Sequence, residues 1–180
     1  GYINAKFGEN IAEYLDEDVL QEIASDLIAS YEEDKASRED WVTTYTDGLE
    51  LLGIKSEERT TPFAGACGVT HPILSEATIR FVSQSMMEIF PASGPVKTKT
   101  VGHVTDETIA QSQRVENYMN YLLTHEMAEY RSETEQLLFN LALAGSAFRK
   151  VYYDPHYNRP SSVFVPAEDL VVAYNTPDLV

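Results

Sequence analysis

The sequence predicts an α+β fold in which amphipathic helices come first and a small β region follows. Apolar residues recur at one-face helical spacing through most of residues 1–145. The period then changes, and residues 147–153 are rich in Val, Phe and Tyr, which favour strands. We therefore divide the chain into residues 1–145, mainly helical with one short strand near 96–101, and residues 146–180, which open a small β region that we expect to continue beyond this chain.

The first predicted helix lies in a strongly acidic segment. Between Glu9 and Glu50 there are 14 acidic and two basic residues, so this segment has a net charge of −12 out of −16 for the whole chain. Asp16 is placed to cap this helix, and Glu17 and Asp18 in its first turn complement the helix dipole. Its apolar face consists of Val19, Leu20, Ile23, Ala24, Leu27, Ile28 and Tyr31.

The second helix is predicted to start at Ser37, with Asp40 three residues later as a capping box, and to end at Gly53. Its apolar stripe is Trp41, Tyr45, Leu49 and Leu52. Because helical spacing already explains Tyr31, Trp41 and Tyr45, we expect these aromatic side chains to lie in the core and not to stack on nucleic-acid bases.

A loop and a third helix follow. Proline and glycine break the pattern between residues 55 and 68. Pro72 at a first helical position opens the third helix, which is predicted to run to Phe90. Residues 96–101 then alternate apolar and polar side chains, and this alternation predicts the short strand.

Two more helices are predicted before the β region. Thr105 or Asp106 caps the fourth, which reaches about Glu129. Ser132 with Glu135 forms a capping-box pattern at the start of the fifth.

The β region begins after Gly145, which is placed to stop the fifth helix. Asp154-Pro155 predicts a turn after the strand at 147–153. Residues 163–165 and 170–174 are predicted as further short strands.

Composition argues against several classes of protein. A net charge of −16 disfavours a nucleic-acid reader with a broad basic surface and a helix that binds an anionic membrane. The single cysteine, Cys67, excludes an internal disulfide and a cysteine-based zinc cluster. Charged residues interrupt the most apolar run, 73–90, and we predict no signal peptide and no membrane span. The chain has no initiator methionine, so we expect it to be part of a longer protein.

The candidate catalytic and ligand motifs lack essential parts. Residues 65–68 suggest a phosphate loop, but the Gly-Lys-Ser/Thr that must follow is missing. Cys67 and His71 suggest a nucleophile and its base, but no third residue to orient the base is evident. His125 and Glu129 share a helix face, without the second histidine of a zinc protease helix.

The charged clusters have simple structural explanations. Residues 16–18 are too compact for a calcium loop, and helix capping explains them. Lys97 with Lys99, and Arg149 with Lys150, could contact phosphate, but a solvent-facing strand edge explains both pairs on so acidic a chain. We therefore predict no catalytic, cofactor-binding or metal-binding residue, no cofactor and no enzymatic activity.

Five runs of sequence stand out in order along the chain. They are SREDWVTTYTDGLELLG (37–53), ERTTPFAGACGVTHP (58–72), FPASGPVKTKTV (90–101), LAGSAFRKVYY (143–153) and FVPAEDLV (164–171). Together they resemble the N-terminal part of the portal protein, or head-to-tail connector, of tailed bacteriophages. The resemblance extends over nearly the whole chain and only over the leading part of a portal protein.

The resemblance implies a structural function. Portal subunits form a ring, usually of twelve copies, at one capsid vertex, and double-stranded DNA passes through the ring during packaging and ejection without tight binding. The ring contacts the terminase, the major capsid or scaffolding protein, and tail adaptor or head-completion proteins. The resemblance also implies a wing-like region for this part of the chain, and a location in the virion after assembly in the host bacterial cytoplasm.

The acidic composition leaves a second function open, that of an acidic adaptor or DNA mimic that binds a basic partner. In either case like charges repel, so we expect residues 9–50 to face outward or to meet a partner. We do not expect them to pack against the same segment of a neighbouring copy.

Overall fold

The computed structural model describes residues 9–53, 63–69 and 71–177, and these residues form the α+β structure that the sequence predicts. The main elements are α1 (Glu17–Ser37), α2 (Glu39–Glu50), α3 (Ile73–Ile89), α4 (Asp106–Tyr121), α5 (Tyr130–Ala144), β1 (Phe148–Asp154) and β2 (Arg159–Val165). A π-helical turn, Leu122–Glu126, follows α4, and short 3-10 turns occur at Ile11–Tyr14 and Ala167–Asp169.

The chain forms two compact units. The first holds residues 9–43 and 171–177, and the second holds the described residues between 44 and 170. The second unit includes both the helix α5 and the hairpin, because α5 packs against β2.

Two helix starts predicted from serine are wrong. Ser37 ends α1, where its hydroxyl donates to the carbonyl of Asp34 (2.7 Å), and α2 begins at Glu39. Ser132 lies inside α5, where its hydroxyl donates to the carbonyl of Glu129 (2.9 Å). A serine hydroxyl can bond to a carbonyl one turn earlier instead of capping a helix, and the local sequence does not distinguish the two uses.

The caps at Thr105 and Gly145 are confirmed. Thr105 accepts a hydrogen bond from the backbone N–H of Thr108 (3.2 Å), and the Thr108 hydroxyl accepts one from the Thr105 N–H (2.9 Å). Gly145 ends α5 with φ of 75°. Asp16 occupies the N-cap position of α1, although its side chain makes no capping hydrogen bond.

Residues 96–101 do not form the predicted strand. Side chains of α4 take the place of a partner strand, so we call residues 95–101 the α4-bound segment. The amide of Asn120 accepts from the Val96 N–H (2.9 Å) and donates to the Val96 carbonyl (3.0 Å). The carboxylate of Glu116 accepts from the Thr98 N–H (3.0 Å). Glu116 and Asn120 are separated by about 6 Å along the axis of α4, because four helical residues rise by that distance. Val96 and Thr98 are separated by a similar distance in extended chain, so the two pairs can meet.

The β region is a single antiparallel hairpin in the described residues. Phe148 pairs with Val165 at its open end and Asp154 pairs with Arg159 at its turn, which confirms the predicted turn. Residues 170–174 contain no strand, so the prediction of a further strand there is wrong.

The core of the second unit lies between α3 and α5. Val82 and Met86 of α3 pack with Leu138 of α5, and Phe90 and Phe139 cover this cluster. Met127, Ala144 and Ala167 are the other buried apolar side chains in the described residues. In α1, by contrast, no residue is buried, and Tyr31, predicted to lie in the core, is 47% exposed.

Candidate interaction surfaces

The hairpin is attached to the start of α5 by two carboxylates one helical turn apart. Glu129 receives two hydrogen bonds from the Arg159 guanidinium, Nη1 to Oε1 at 2.6 Å and Nη2 to Oε2 at 3.0 Å. Glu133 accepts from the backbone N–H of Phe164 (2.6 Å). A forked, charge-assisted pair fixes orientation as well as position, so the hairpin is held firmly on the helix.

A second arginine strengthens the attachment from the other strand. Arg149 of β1 donates to the hydroxyl of Thr134 (2.7 Å), and its guanidinium lies 4.7 Å from the ring centre of Tyr130. Arg149 therefore contacts α5 within the second unit, and the prediction that it faces solvent on a strand edge is wrong. Lys150, its neighbour, is exposed and lies 5.4 Å from the ring centre of Tyr152.

Three large side chains of the hairpin are more than half exposed, and we call them the hairpin tip: Val151 (69% exposed), Tyr153 (59%) and Tyr157 (63%). Val151 and Tyr153 lie two residues apart in β1 and so point to the same face. Tyrosine offers a large contact area with few rotatable bonds and is enriched at the centres of protein interfaces. The tip therefore has the composition of a protein-binding surface.

Contacts within the turn preorganise the tip. Asp154 Oδ1 accepts from the backbone N–H two residues later (2.8 Å). Asn158 has φ of 51°, in the left-handed region, and its Oδ1 accepts from the Tyr153 hydroxyl (2.5 Å). The guanidinium of Arg159 lies 5.2 Å from the ring centre of Tyr157. Since Arg159 also binds Glu129, the ring of Tyr157 is linked to α5.

A groove of about 360 Å³ lies between α3 and α5 and is open to solvent. Its lining is mostly apolar: Leu74, Ala77, Thr78, Phe81, Leu141 and Ala142. Phe81 remains 41% exposed within it. On α3, Glu76 and Arg80 line a second depression that shares Ala77 with the groove. The groove is thus an apolar hollow with one acid and one base beside it.

The acidic helix α1 carries a third exposed apolar surface. Ile23 is 43% exposed, Leu27 65% and Ile28 64%, although their spacing predicts a packed face. The acidic residues around them belong to the segment 9–50, which has a net charge of −12. α1 therefore combines apolar and acidic surface along its length.

The cysteine and histidine candidates, Cys67, His71 and His125, are all exposed. His71 Nε2 lies 3.9 Å from Glu76 Oε1, and both side chains are largely exposed. His125 stacks on Tyr121 with ring centres 5.5 Å apart, while Glu129, its predicted metal-binding partner, pairs with Arg159. Among the described residues no group of three His, Cys, Asp or Glu side chains is arranged to hold a metal ion.

Lys97 and Lys99 are exposed on the outer side of the α4-bound segment, as expected for solvent-facing lysines. The residues on its inner side make the contacts to α4. Residues 58–62 and 70 of the second sequence run, 58–72, lie outside the described residues.

Sequence reasoning missed the side chains that attach the extended segments. Ser112, Glu116 and Asn120 of α4 follow each other at four-residue spacing, as do Glu129 and Glu133 at the start of α5. Such a polar stripe is the signal that could have found them, because side chains four apart on a helix face the same neighbour.

No protein-family model matches this chain, and no curated protein is significantly similar to it in sequence. Crossing a bilayer takes about 20 mostly apolar residues in a helix, and among residues 9–53, 63–69 and 71–177 no helix provides such a run.

The ion pair between Glu129 and Arg159 makes stability depend on pH. The hydrogen bonds from Arg159 hold the pKa of Glu129 below its ordinary value. A carboxylate with a lowered pKa stabilises the fold above its unfolded pKa, about 4.3, and this contribution is lost as pH falls through the folded pKa. We expect Arg159→Met to lower the free energy of unfolding at pH 7, with the difference from wild type shrinking toward pH 3.

Urea unfolding of the two proteins between pH 7 and pH 3 measures this difference. Arg114→Met is the control, because Arg114 is exposed on α4 and its loss should change stability little at any pH. A difference between wild type and Arg159→Met that stays constant with pH would contradict the assignment.

Proposed function

We propose that this chain is the leading part of a portal subunit, one copy in a ring at a single vertex of a phage capsid. The observation that carries the proposal is the set of five sequence runs in portal order, from residue 37 to residue 171. In this role the protein is structural and not an enzyme. It is assembled in the host bacterial cytoplasm and is present in the virion.

The arrangement of the runs supports the proposal. Residues 44–53 of the first run, the whole third and fourth runs, and residues 164–170 of the fifth belong to the same compact unit, while residues 37–43 and 171 belong to the other. The hydroxyl of Tyr45, in the first run, donates to Asn140 Oδ1 of α5 at 3.4 Å. Most of the sequence that resembles a portal protein therefore lies in one compact unit.

The exposed apolar surfaces also support an assembly protein. The hairpin tip and the groove between α3 and α5 are both open to solvent. Monomeric proteins leave few large apolar patches exposed, and such patches commonly mark interaction sites. A subunit of a ring has neighbours to cover them.

In the proposed ring, the portal docks the terminase, the major capsid or scaffolding protein, and tail adaptor or head-completion proteins. Double-stranded DNA passes through the channel. The charge of −16 suits this use, because a surface poor in Lys and Arg makes few phosphate contacts and does not hold DNA.

Two measurements on the purified full-length protein test the proposal. Negative-stain images should show rings with a central hole, and mass photometry should give a single multiple of the subunit mass. Binding to duplex DNA should be weak at physiological salt. A protein that stays monomeric at micromolar concentration, or one that binds duplex DNA tightly with a steep salt dependence, would contradict it.

The exposed apolar face of α1 favours the second candidate, an acidic adaptor. An amphipathic helix flanked by acids suits an apolar groove with a basic rim on another protein. An adaptor should be monomeric and should bind a basic partner through α1, so Leu27→Asp should abolish that binding. The portal subunit should form rings without any such partner.

A further inference from the structure

We propose that the α4-bound segment is a strap that opens about Gly94 and Gly102 without unfolding the second unit, and that the negative charge of Glu116 keeps it closed. The inference concerns the second compact unit alone. It goes beyond the proposed function, because it does not depend on the ring. It assigns to this part of the unit a conformational change that acidification promotes.

The hydrogen bonds that hold the α4-bound segment come from side chains and backbone of α4. Among the described residues the segment forms no hydrogen bond between backbone groups. Asn120 holds Val96 through both its N–H and its carbonyl. Glu116 Oε2 accepts from the Thr98 N–H (3.0 Å) and lies 3.2 Å from the Thr98 hydroxyl. That hydroxyl also accepts from the Ser112 hydroxyl (2.8 Å), so the segment is fastened to one helix.

Opening the α4-bound segment does not uncover the core. No side chain of residues 95–101 is buried, and the cluster that joins α3 to α5 contains none of them. Val101, at the downstream end, is 88% exposed. A region with few buried apolar contacts and exposed backbone hydrogen bonds opens at a lower free energy than the whole unit unfolds. The α4-bound segment can therefore open while α3 and α5 stay packed.

A glycine with positive φ lies at each end of the α4-bound segment. Gly94 has φ of 98° and Gly102 has φ of 92°. Glycine adopts positive and negative φ with similar ease, so both positions can absorb a change in the direction of the chain. Beyond Gly102 the chain enters α4 at the Thr105 cap. Because this connection is short, an opened segment stays close to its helix and can close again.

The charge of Glu116 contributes to the closed state. A hydrogen bond to a carboxylate is about twice as strong as one to a neutral acceptor. The bonds from the N–H and the hydroxyl of Thr98 hold the pKa of Glu116 below its ordinary value, and the charge of Lys97 and the Gln113 amide act in the same direction. Among the described residues, Lys97 is the only charged side chain that acts on this pKa.

These bonds make closure depend on pH. The closed segment binds the ionised carboxylate, so closure is fully supported above the ordinary pKa of glutamate, about 4.3. As the pH falls through the lower pKa of the closed state, Glu116 takes up a proton and this support is lost. We therefore expect the α4-bound segment to be closed at neutral pH and to open increasingly below about pH 4.

Hydrogen exchange of the full-length protein, followed by mass spectrometry between pH 7 and pH 3, measures this opening. Protection factors remove the pH dependence of the chemical exchange rate. In wild type the amides of the α4-bound segment should lose protection below about pH 4, while those of α5 keep theirs. Loss of protection in both regions together, or constant protection of the segment down to pH 3, would overturn the inference.

Two glutamine substitutions in α4 assign the pH dependence to one carboxylate. Glu116→Gln keeps the size of the side chain but leaves a neutral acceptor, so the segment should be open about fivefold more often at pH 7. Its protection should then no longer change between pH 5 and pH 3. Glu107→Gln is the matched control, because Glu107 is exposed on the same helix and does not bind the segment, so it should keep the wild-type profile. A Glu116→Gln protein with that same profile would rule the inference out.

A disulfide decides the case if Glu116→Gln fails to fold. The hydroxyls of Thr98 and Ser112 lie 2.8 Å apart, so Thr98→Cys with Ser112→Cys should lock the segment to α4. A Cys67→Ser background prevents the exposed Cys67 from competing. The oxidised protein should keep the protection of the segment at pH 3, and the reduced protein should lose it. Equal exchange of the two forms would overturn the inference, whereas the proposed ring is tested separately by imaging.

Discussion

Replacing Met86 by alanine should lower the free energy of unfolding by about 3 kcal/mol. Met86 is 8% exposed and packs with Val82 and Leu138 in the core between α3 and α5. The substitution removes buried apolar contacts and leaves a cavity that the neighbouring side chains fill only in part. Because this cluster joins α3 to α5, the helix that also holds the hairpin, the loss should weaken the whole second unit.

Met87→Ala is the matched control for this prediction. Met87 follows Met86 on the same helix and is 68% exposed, so its removal should change the free energy of unfolding by less than about 0.5 kcal/mol. Urea unfolding followed by circular dichroism measures both values. Equal effects of the two substitutions would contradict the assignment of the core to this face of α3.

Replacing Gly94 by alanine should cost about 3 kcal/mol of stability through two separate causes. Gly94 has φ of 98°, a backbone angle that residues other than glycine rarely adopt. A Cβ at this position would lie 2.5 Å from Asn120 Oδ1, so the Asn120 side chain would have to move. That movement would break both of its hydrogen bonds to Val96 and loosen this end of the α4-bound segment, while Glu116 would still hold Thr98.

Gly102→Ala separates the two causes. Gly102 has φ of 92°, but no atom lies within 4 Å of a Cβ built there. Its substitution should therefore cost only the backbone strain, about 1–2 kcal/mol. Thermal or urea unfolding of the two variants gives the comparison. If Gly94→Ala were no more destabilising than Gly102→Ala, the contact with Asn120 would not support the segment.

Polar side chains hold both extended parts of the second unit against helices. The α4-bound segment and the hairpin are both held by carboxylates or amides spaced four residues apart on a helix. These bonds give hydrogen-bond partners to backbone N–H groups and to the Arg159 guanidinium. The unit can therefore be firmly built while its apolar groove and tip remain available for neighbours.

Much of the local structure could be predicted from the sequence. Helical periodicity located all five helices, Thr105 and Gly145 marked true ends, and Asp154-Pro155 marked the hairpin turn. These features depend on residues within about four positions of one another, so a local pattern contains the information.

Only the tertiary structure decided how those elements are used. Residues 96–101 alternate like a strand, yet their hydrogen-bond partners are side chains of α4, 18 to 24 residues away at Glu116 and Asn120. Glu129 similarly meets Arg159, 30 residues away, instead of pairing with His125 on its own helix. Alternation and spacing give the direction of a side chain but not its partner, because the partner is brought near by the packing of other elements.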